Sequence, residues 1–343
     1  MAQGYSGKEF GAIVGIQDVS ASAIGTAPTT SQFVSGTKVQ MRLETVNDIA
    51  WDAGYQRTEL NRSRNRAMRA EDIISHYGSG TWTWDFEYVV DNYVGIQNLL
   101  NLIYPETATT AVSTSGMVIP ASPATGDYSH GATAGQDKVA SIIIQNPNND
   151  DDRLMHSAVL QTLNLSMSAD SNGGNLMASG QFLSGYKPVI LGNTFSADTS
   201  ASDITTAKGL FDCTAHSIGG TNRTIKSFNI TIDNPASRVG YQGSSGETDG
   251  YVRAGLINVT GEVVVKADAD TFDYLADWQA NTLRAIIVEA TTAKELSINV
   301  PSAHFSGHAI DMAEEGSFIT IPFTATTGAD SGGSLLTVKF TSA

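Results

Sequence analysis

One cysteine, Cys213, stands in a chain of 343 residues, so no disulfide can close within it, and a reducing compartment is the expected setting. Charge is scarce too. Only 16% of residues are charged, and 20 basic residues face 35 acidic ones, for a net charge of −15. Tight nucleic-acid binding needs cations that displace counterions from phosphates, which this composition excludes for the chain as a whole. No run approaches the roughly 18 apolar residues of a membrane helix. The first residues lack the basic start and apolar stretch of a signal peptide. There is no Gly-X-Ser-X-Gly elbow and no phosphate-binding glycine loop. No catalytic, cofactor-binding or metal-ligating residue is therefore assigned, and the chain reads as a non-enzyme.

What the chain does have is alternation. Hydrophobic residues make up 41% of it, and Gly, Ser, Thr, Ala and Asn fill much of the rest, a mix that suits a β protein with many turns. In residues 39–45 the odd positions are mostly apolar and the even ones polar. In residues 81–90, Trp82, Trp84, Phe86 and Tyr88 lie on one side of a strand and Thr81, Thr83, Asp85 and Glu87 on the other. Asp91 is placed to cap a helix, in which Tyr93, Ile96, Leu99, Leu100 and Ile103 recur at spacings of three and four. Strands are expected at 139–145, 160–168 and 174–183, the last two joined by a hairpin turn from Asp170 to Gly174. The order then repeats. A strand at 225–232 and a Gly/Ser-rich loop at 233–255 precede a strand at 256–266. Asp270 as a cap and a short helix at 271–279 follow, then strands at 283–289, 295–305, 318–325 and 335–340.

This order gives a mainly β chain of two tandem sandwich units, each with a short flanking helix. Residues 1–37 read as an N-terminal arm, an extended segment or a first strand, 38–190 as the first unit with a poorly patterned insertion at 105–137, 191–222 as a linker, and 223–343 as the second unit. From helix cap to final hairpin the first unit is the longer, by about the length of that insertion.

Several polar groups invite a functional reading and receive a structural one. Asp268, Asp270, Asp273 and Asp277 lack the Gly and Glu of a calcium loop, and suit a helix start, where the backbone dipole favours negative charge. Asp150, Asp151 and Asp152 read as a solvated turn. His304 and His308 lie in a strand-like segment, where four residues span about 13 Å, too far to share one ion. Cys213 has no nucleophile signature around it. The dense basic run, with Arg57, Arg62, Arg64, Arg66 and Arg69, suits an acidic surface on another copy better than phosphates, and otherwise a solvated loop.

Residues 80–104, 160–185 and 228–278 together carry a likeness to a family. Over about residues 38–340 the chain resembles the major tail tube proteins of long-tailed bacteriophages, in their larger, two-unit form. The resemblance implies a structural virion protein whose long strands join a ring-wide β-barrel. Its rings would stack into a tail tube, assembled in the host cytoplasm, through which the genome leaves. It implies three copies per pseudo-six-fold ring, or else six. Terminator and tape measure proteins would be partners, and viral DNA would pass without specific binding; no cofactor or membrane is implied. In such a ring the alternation would turn Glu44, Asp85, Glu87, Asp233 and Glu262 to the channel, and the arginines of 57–69 would reach the neighbouring ring. The alternatives are another β-sandwich virion protein, from head decoration or baseplate, and a carbohydrate-binding or adhesin module.

Overall fold

The computed structural model describes residues 6, 9–43, 45–49, 55–59, 73–77, 80–91, 93–104, 117–120, 129–130, 138–147, 151–192, 195–198, 208–242, 245–253, 256–290, 296–313, 316–327 and 334–340. The chain opens with β1 (Gly11–Ile16), β2 (Val39–Met41), a hairpin of β3 (Tyr55–Glu59) and β4 (Ile73–Tyr77), β5 (Trp82–Val89) and helix α1 (Tyr93–Ile103). Next come β6 (Met117–Pro120), β7 (Ser129–His130), β8 (Ala140–Gln145), the 17-residue β9 (Asp152–Ser168), β10 (Met177–Ser184) and β11 (Val189–Leu191). The later half holds β12 (Ala215–Ile218), β13 (Thr221–Asn222), β14 (Ile225–Asp233), a hairpin of β15 (Ser237–Val239) and β16 (Gly250–Val252), and β17 (Asn258–Lys266). Helix α2 (Tyr274–Gln279), β18 (Leu283–Glu289), β19 (Leu296–Phe305), β20 (Ala309–Ala313), β21 (Gly316–Ala325) and β22 (Ser334–Phe340) complete it. The fold is mainly β, with its strands in sandwich-like layers.

All the ladders are antiparallel, and their order recurs. In the earlier half β2, β1, β8, β9, β10 and β5 pair in that sequence, and a bridge from Leu43 to Tyr88 leads back toward β2. In the later half β13, β12, β18, β19, β21, β17 and β14 follow one another. A further strand joins the start of the long strand in each case, β11 on β9 and β22 on β19. Both long strands also bulge against their partners, opposite Ala140–Ile142 on β8 and Arg284–Ile286 on β18. A bulge bends a strand and sharpens its twist. On β9 it falls at Ser157, whose φ of 50° marks the bend. The first part of β9 thus pairs with β8 and β11, and its remainder with β10 and β14.

In the later half this long strand is split. Pro322 of β21 has no N–H to give across to the next strand, and β19 ends before it at Phe305. Residues 306–308 pass the proline ring, with Gly307 so close that a Cβ there would lie 3.0 Å from Pro322 Cγ. The ladder to β21 then resumes as β20.

Burial follows the alternation. Trp82, Trp84, Phe86 and Tyr88 of β5 are at most 4% exposed and belong to the same main core as Ala12, Val14, Ile142 and Ile144. β1 and β8 are apolar on both faces. Ile13 and Ile143 turn the other way and pack with Phe33, Leu154 and Phe195. Helix α1 buries Ile96, Leu99, Leu100 and Ile103. It tolerates Gly95 because a Cβ there would meet Tyr88 Oη at 2.7 Å.

The two halves are joined through β9 and β14, in register from Ser227 opposite Ser168 to Asp233 opposite Thr162. Leu163, Leu165 and Met167 on β9 and Phe228, Ile230 and Ile232 on β14 are at most 1% exposed. The segment after β14 also closes the C-terminal end of α1, where backbone carbonyls lack helical partners. Asn234 Nδ2 donates to Ile103 O at 2.7 Å. The buried guanidinium of Arg253 donates to the carbonyls of Leu160 (2.8 Å), Leu102 (3.3 Å) and Asn234.

Several expectations change. Of the two readings of the N-terminal arm the strand holds: residues 11–16 form β1, but inside the core rather than outside it, and such a run, buried on both faces, shows no alternation. The insertion contributes β6, which pairs with β22, and the linker contributes β12, which pairs with β18. Asp152 is no solvated turn residue. It is 1% exposed, and its carboxylate accepts from the amides of Asn146 (2.9 Å) and Phe195 (3.3 Å). The helix start at 271 is held by Asp268 rather than Asp270. Asp268 Oδ1 accepts from the amides of Thr271 (3.0 Å) and Asp270 (3.2 Å), and Asp270 makes no side-chain cap. Asp91, two residues before α1, is buried; it accepts from Tyr88 Oη at 2.7 Å and pairs with Arg42 at 2.7 Å, partners the alternation did not suggest.

Replacing Arg253 with Met leaves three buried carbonyls without their charged donor. We expect a loss on the order of 3 kcal/mol in urea unfolding; a loss below about 1 kcal/mol removes Arg253 as the tie between the halves.

His156 lies beneath Tyr186, their rings 5.9 Å apart. Burial pushes its pKa down to about 4, against an opposing pull from Glu247 and a backbone contact with Lys187. The folded form therefore resists protonation that the unfolded chain accepts near pH 6.5. Stability should fall as the pH drops from about 6.5 to about 4, by up to about 3 kcal/mol. Chemical unfolding across that range should show this slope flattened in His156→Gln. An equal slope in both proteins would assign it to other groups.

Candidate functional site

The outward face of β5, β10, β9, β14, β17 and β21 collects the polar halves of the alternating strands into one surface. Asp85 and Glu87 project from β5 and are exposed; Asp233 on β14 and Glu262 on β17 are half-buried. Between them the surface is hydroxyl and amide. Gln181 Nε2 on β10 donates to Asp85 Oδ1 at 2.8 Å, and Asn164 Nδ2 on β9 donates to Thr231 Oγ1 on β14 at 2.9 Å. Asp233 stands opposite Thr162 on one side and Asn258 on the other, and Glu262 between Asn229 and Pro322. Because register is set by the buried side chains, these polar positions are fixed as firmly as the core.

Among the described residues the cations nearest this face lie at its ends, Arg238 donating to Thr81 Oγ1 at 3.4 Å before β5 and two lysines at the opposite end. Lys266 ends β17. Lys226 pairs with Asp170 at 2.8 Å, and that hydrogen bond raises its pKa. Lys226 also sits 4.9 Å from the ring centroid of Phe318. Elsewhere on the face the carboxylates have polar, uncharged neighbours. A surface of this kind repels phosphates and offers them no cationic hold.

Four of the five acidic positions expected from alternation thus share one face of one sheet. The fifth, Glu44, lies outside the described residues, as do Arg62, Arg64, Arg66 and Arg69. Arg57 falls in β3, with its side chain outside the described residues.

Several of the other candidate groups have structural partners. Asp277 receives a two-pronged bond from Arg284 at 2.8 and 2.7 Å, and Asp270 pairs with Arg223 at 3.1 Å. His304 Nε2 lies 2.8 Å from Asn281 Oδ1. The Cys213 thiol is pushed up to about 12, first by burial and then by Asp212 and Glu289, so it is not ionised at neutral pH. Among the described residues no group of three His, Cys, Asp or Glu side chains could hold a metal ion, and no helix is long and apolar enough to cross a membrane.

Sequence reasoning missed the exposed apolar residues. Met312 on β20 is 81% exposed, and Phe272 in the 3-10 turn leading into α2 and Leu275 and Trp278 on α2 are 49%, 39% and 38% exposed. The available signal was the i, i+3 spacing of Leu275 and Trp278, which reads as an ordinary core-facing stripe.

A wall of strands with an acidic, hydroxyl-rich face and no reactive pair fits a structural role. The sequence profile of the family described as phage tail tube protein matches residues 13–341. The chain therefore belongs to the phage tail tube protein family, the structural proteins of the virion tail. A comparison with curated proteins gave no match.

Proposed function

We propose that the chain associates with itself into rings that stack as the tube through which the phage genome leaves, with the polar face of β5, β10, β9, β14, β17 and β21 turned to the channel. The observation that carries this reading is the placing of Asp85, Glu87, Asp233 and Glu262 on one face of one sheet spanning both halves. DNA must slide past without sticking, and like charge on a rigid wall serves that need. The recurrence of ladders, bulges and further strands supports two tandem units per chain. Three chains then give a pseudo-six-fold ring, with strands from successive copies forming one ring-wide barrel. Glu44 belongs to the same wall. The arginines at 57, 62, 64, 66 and 69 reach the next ring, and terminator and tape measure proteins meet the ends and lumen of the tube. Assembly takes place in the host cytoplasm.

Negative-stain microscopy of the purified chain tests the core of this reading. We expect hollow tubes with three-fold or six-fold end views. Compact particles without a channel would favour a head decoration or baseplate protein.

Two variants test the surfaces. Changing Asp85, Glu87, Asp233 and Glu262 to Lys should leave tubes of ordinary width. Ejection of labelled DNA from virions carrying the variant should slow, most at low salt, because phosphates then meet cations. Ejection at the wild-type rate would place these residues away from the channel. Reversing Arg62, Arg64 and Arg66 to Glu should leave the circular dichroism unchanged while blocking polymerisation; tubes of normal length would refute the inter-ring role.

A further inference from the structure

The β9–β14 junction has a counterpart with one side open. In the earlier half, β9 offers residues 162–168 as an edge and β14 takes it. In the later half, β19 and β20 stand together in the place of β9, both paired with β21 as β9 is with β10. Against β10, β9 slips by one residue between Leu160 and Thr162, and against β21 the break at 306–308 falls at the corresponding point, which puts Met312 where β9 has Met167 and Ile310 where it has Leu165. Met167 is 1% exposed, opposite Phe228; Met312 is 81% exposed. Among the described residues β20 pairs with β21 alone.

The other end of the chain supplies what is missing. Residues 45–49 precede β5 as β14 precedes β17, with the β3–β4 hairpin between them where the later half has β15–β16. Asn47 Nδ2 donates to Asp85 O at 2.9 Å, and Trp84 Nε1 donates to Asn47 O at 2.9 Å, so Asn47 faces β5 much as Asn229 faces Glu262. Yet 45–49 form no ladder. The helices differ in the same sense. The end of α1 is closed by Asn234 and Arg253, which flank the β15–β16 hairpin. Along α2 and the 3-10 turn before it, Phe272, Leu275 and Trp278 stay open.

We propose that the free edge of β20, with Met312 and the Phe272, Leu275 and Trp278 face of α2 and the turn before it, is the docking surface for residues 45–49 and the β3–β4 hairpin of a second copy. The contact reproduces between chains the β9–β14 junction found within one. It rests on the tube reading and specifies which surfaces meet inside a ring. The two surfaces are unlike, so the contact runs head to tail, and closure of a ring consumes every free copy of both. An exposed strand edge with an apolar side chain is otherwise a liability for irregular pairing.

Hydrogen–deuterium exchange on the full chain tests this, comparing assembled protein with the double variant Met312→Lys, Trp278→Lys as the unassembled reference. Amides at 309–313 and 45–49 should exchange about tenfold or more slowly in the assembly, while those of β9 and β14 stay as they were. A second measurement uses proximity. The Phe228–Met167 pairing places Val46 of one copy opposite Met312 of the next. Oxidised assemblies of Val46→Cys, Met312→Cys should give covalent ladders of chains on a non-reducing gel, and neither single variant should. Tubes without protection at the two segments and without ladders would overturn this docking while leaving the tube reading in place. Covalent rings that never stack would uphold the docking and sink the tube. A wild-type chain that never self-associates would overturn both.

Discussion

The ladder between β9 and β14 is the contact on which the rest of the molecule depends. It joins the two halves edge to edge, aligns two sets of inward side chains, and turns two polar strips into one continuous face. A slip of a single residue would send Leu163, Leu165 and Met167 to solvent and bring Thr162, Asn164 and Ser166 inside. Burial of the apolar set therefore fixes the acidic positions as well, with the Lys226–Asp170 pair as an added clasp at one end. Arg253 and Asn234 add a second tie, from the loop after β14 to the end of α1, so sheet and helix are secured by the same crossing.

Much of the architecture could be read from period-two alternation. Trp82 to Tyr88, Phe228 to Ile232 and Val259 to Val265 are amphipathic strands, and in each the side chains that alternate inward are those found buried. The acidic positions followed from the same reading, since the opposite face of such a strand has one direction left to it. What alternation cannot signal is a strand buried on both sides. Residues 11–16 are apolar throughout, so a first strand there gave no sign of lying in the core, and 215–218 mix small and polar residues and looked like a linker although they lie within a sheet.

Short-range chemistry was read less well than strand pattern. Asp270 and Asp268 stand two residues apart at the same helix start, and only the turn geometry decides which carboxylate meets the free amides. Asp152 ends an acidic triplet that looks hydrated. Its carboxylate instead satisfies two backbone amides from segments far apart in sequence, a partnership that no local pattern encodes. The exposure of Met312 was illegible for a similar reason, because it depends on a neighbouring strand that the later half lacks and the earlier half has.

β9 also has a mechanical meaning. It runs unbroken through both layers and is bonded along both edges, to β8 and β11 before Ser157 and to β10 and β14 after it. Force along its axis loads these ladders in shear, so many hydrogen bonds share the strain and must yield together. Force across an edge such as β20 opens a ladder one pair at a time. The chain is therefore stiff along the direction of its longest strand and soft at its open margin.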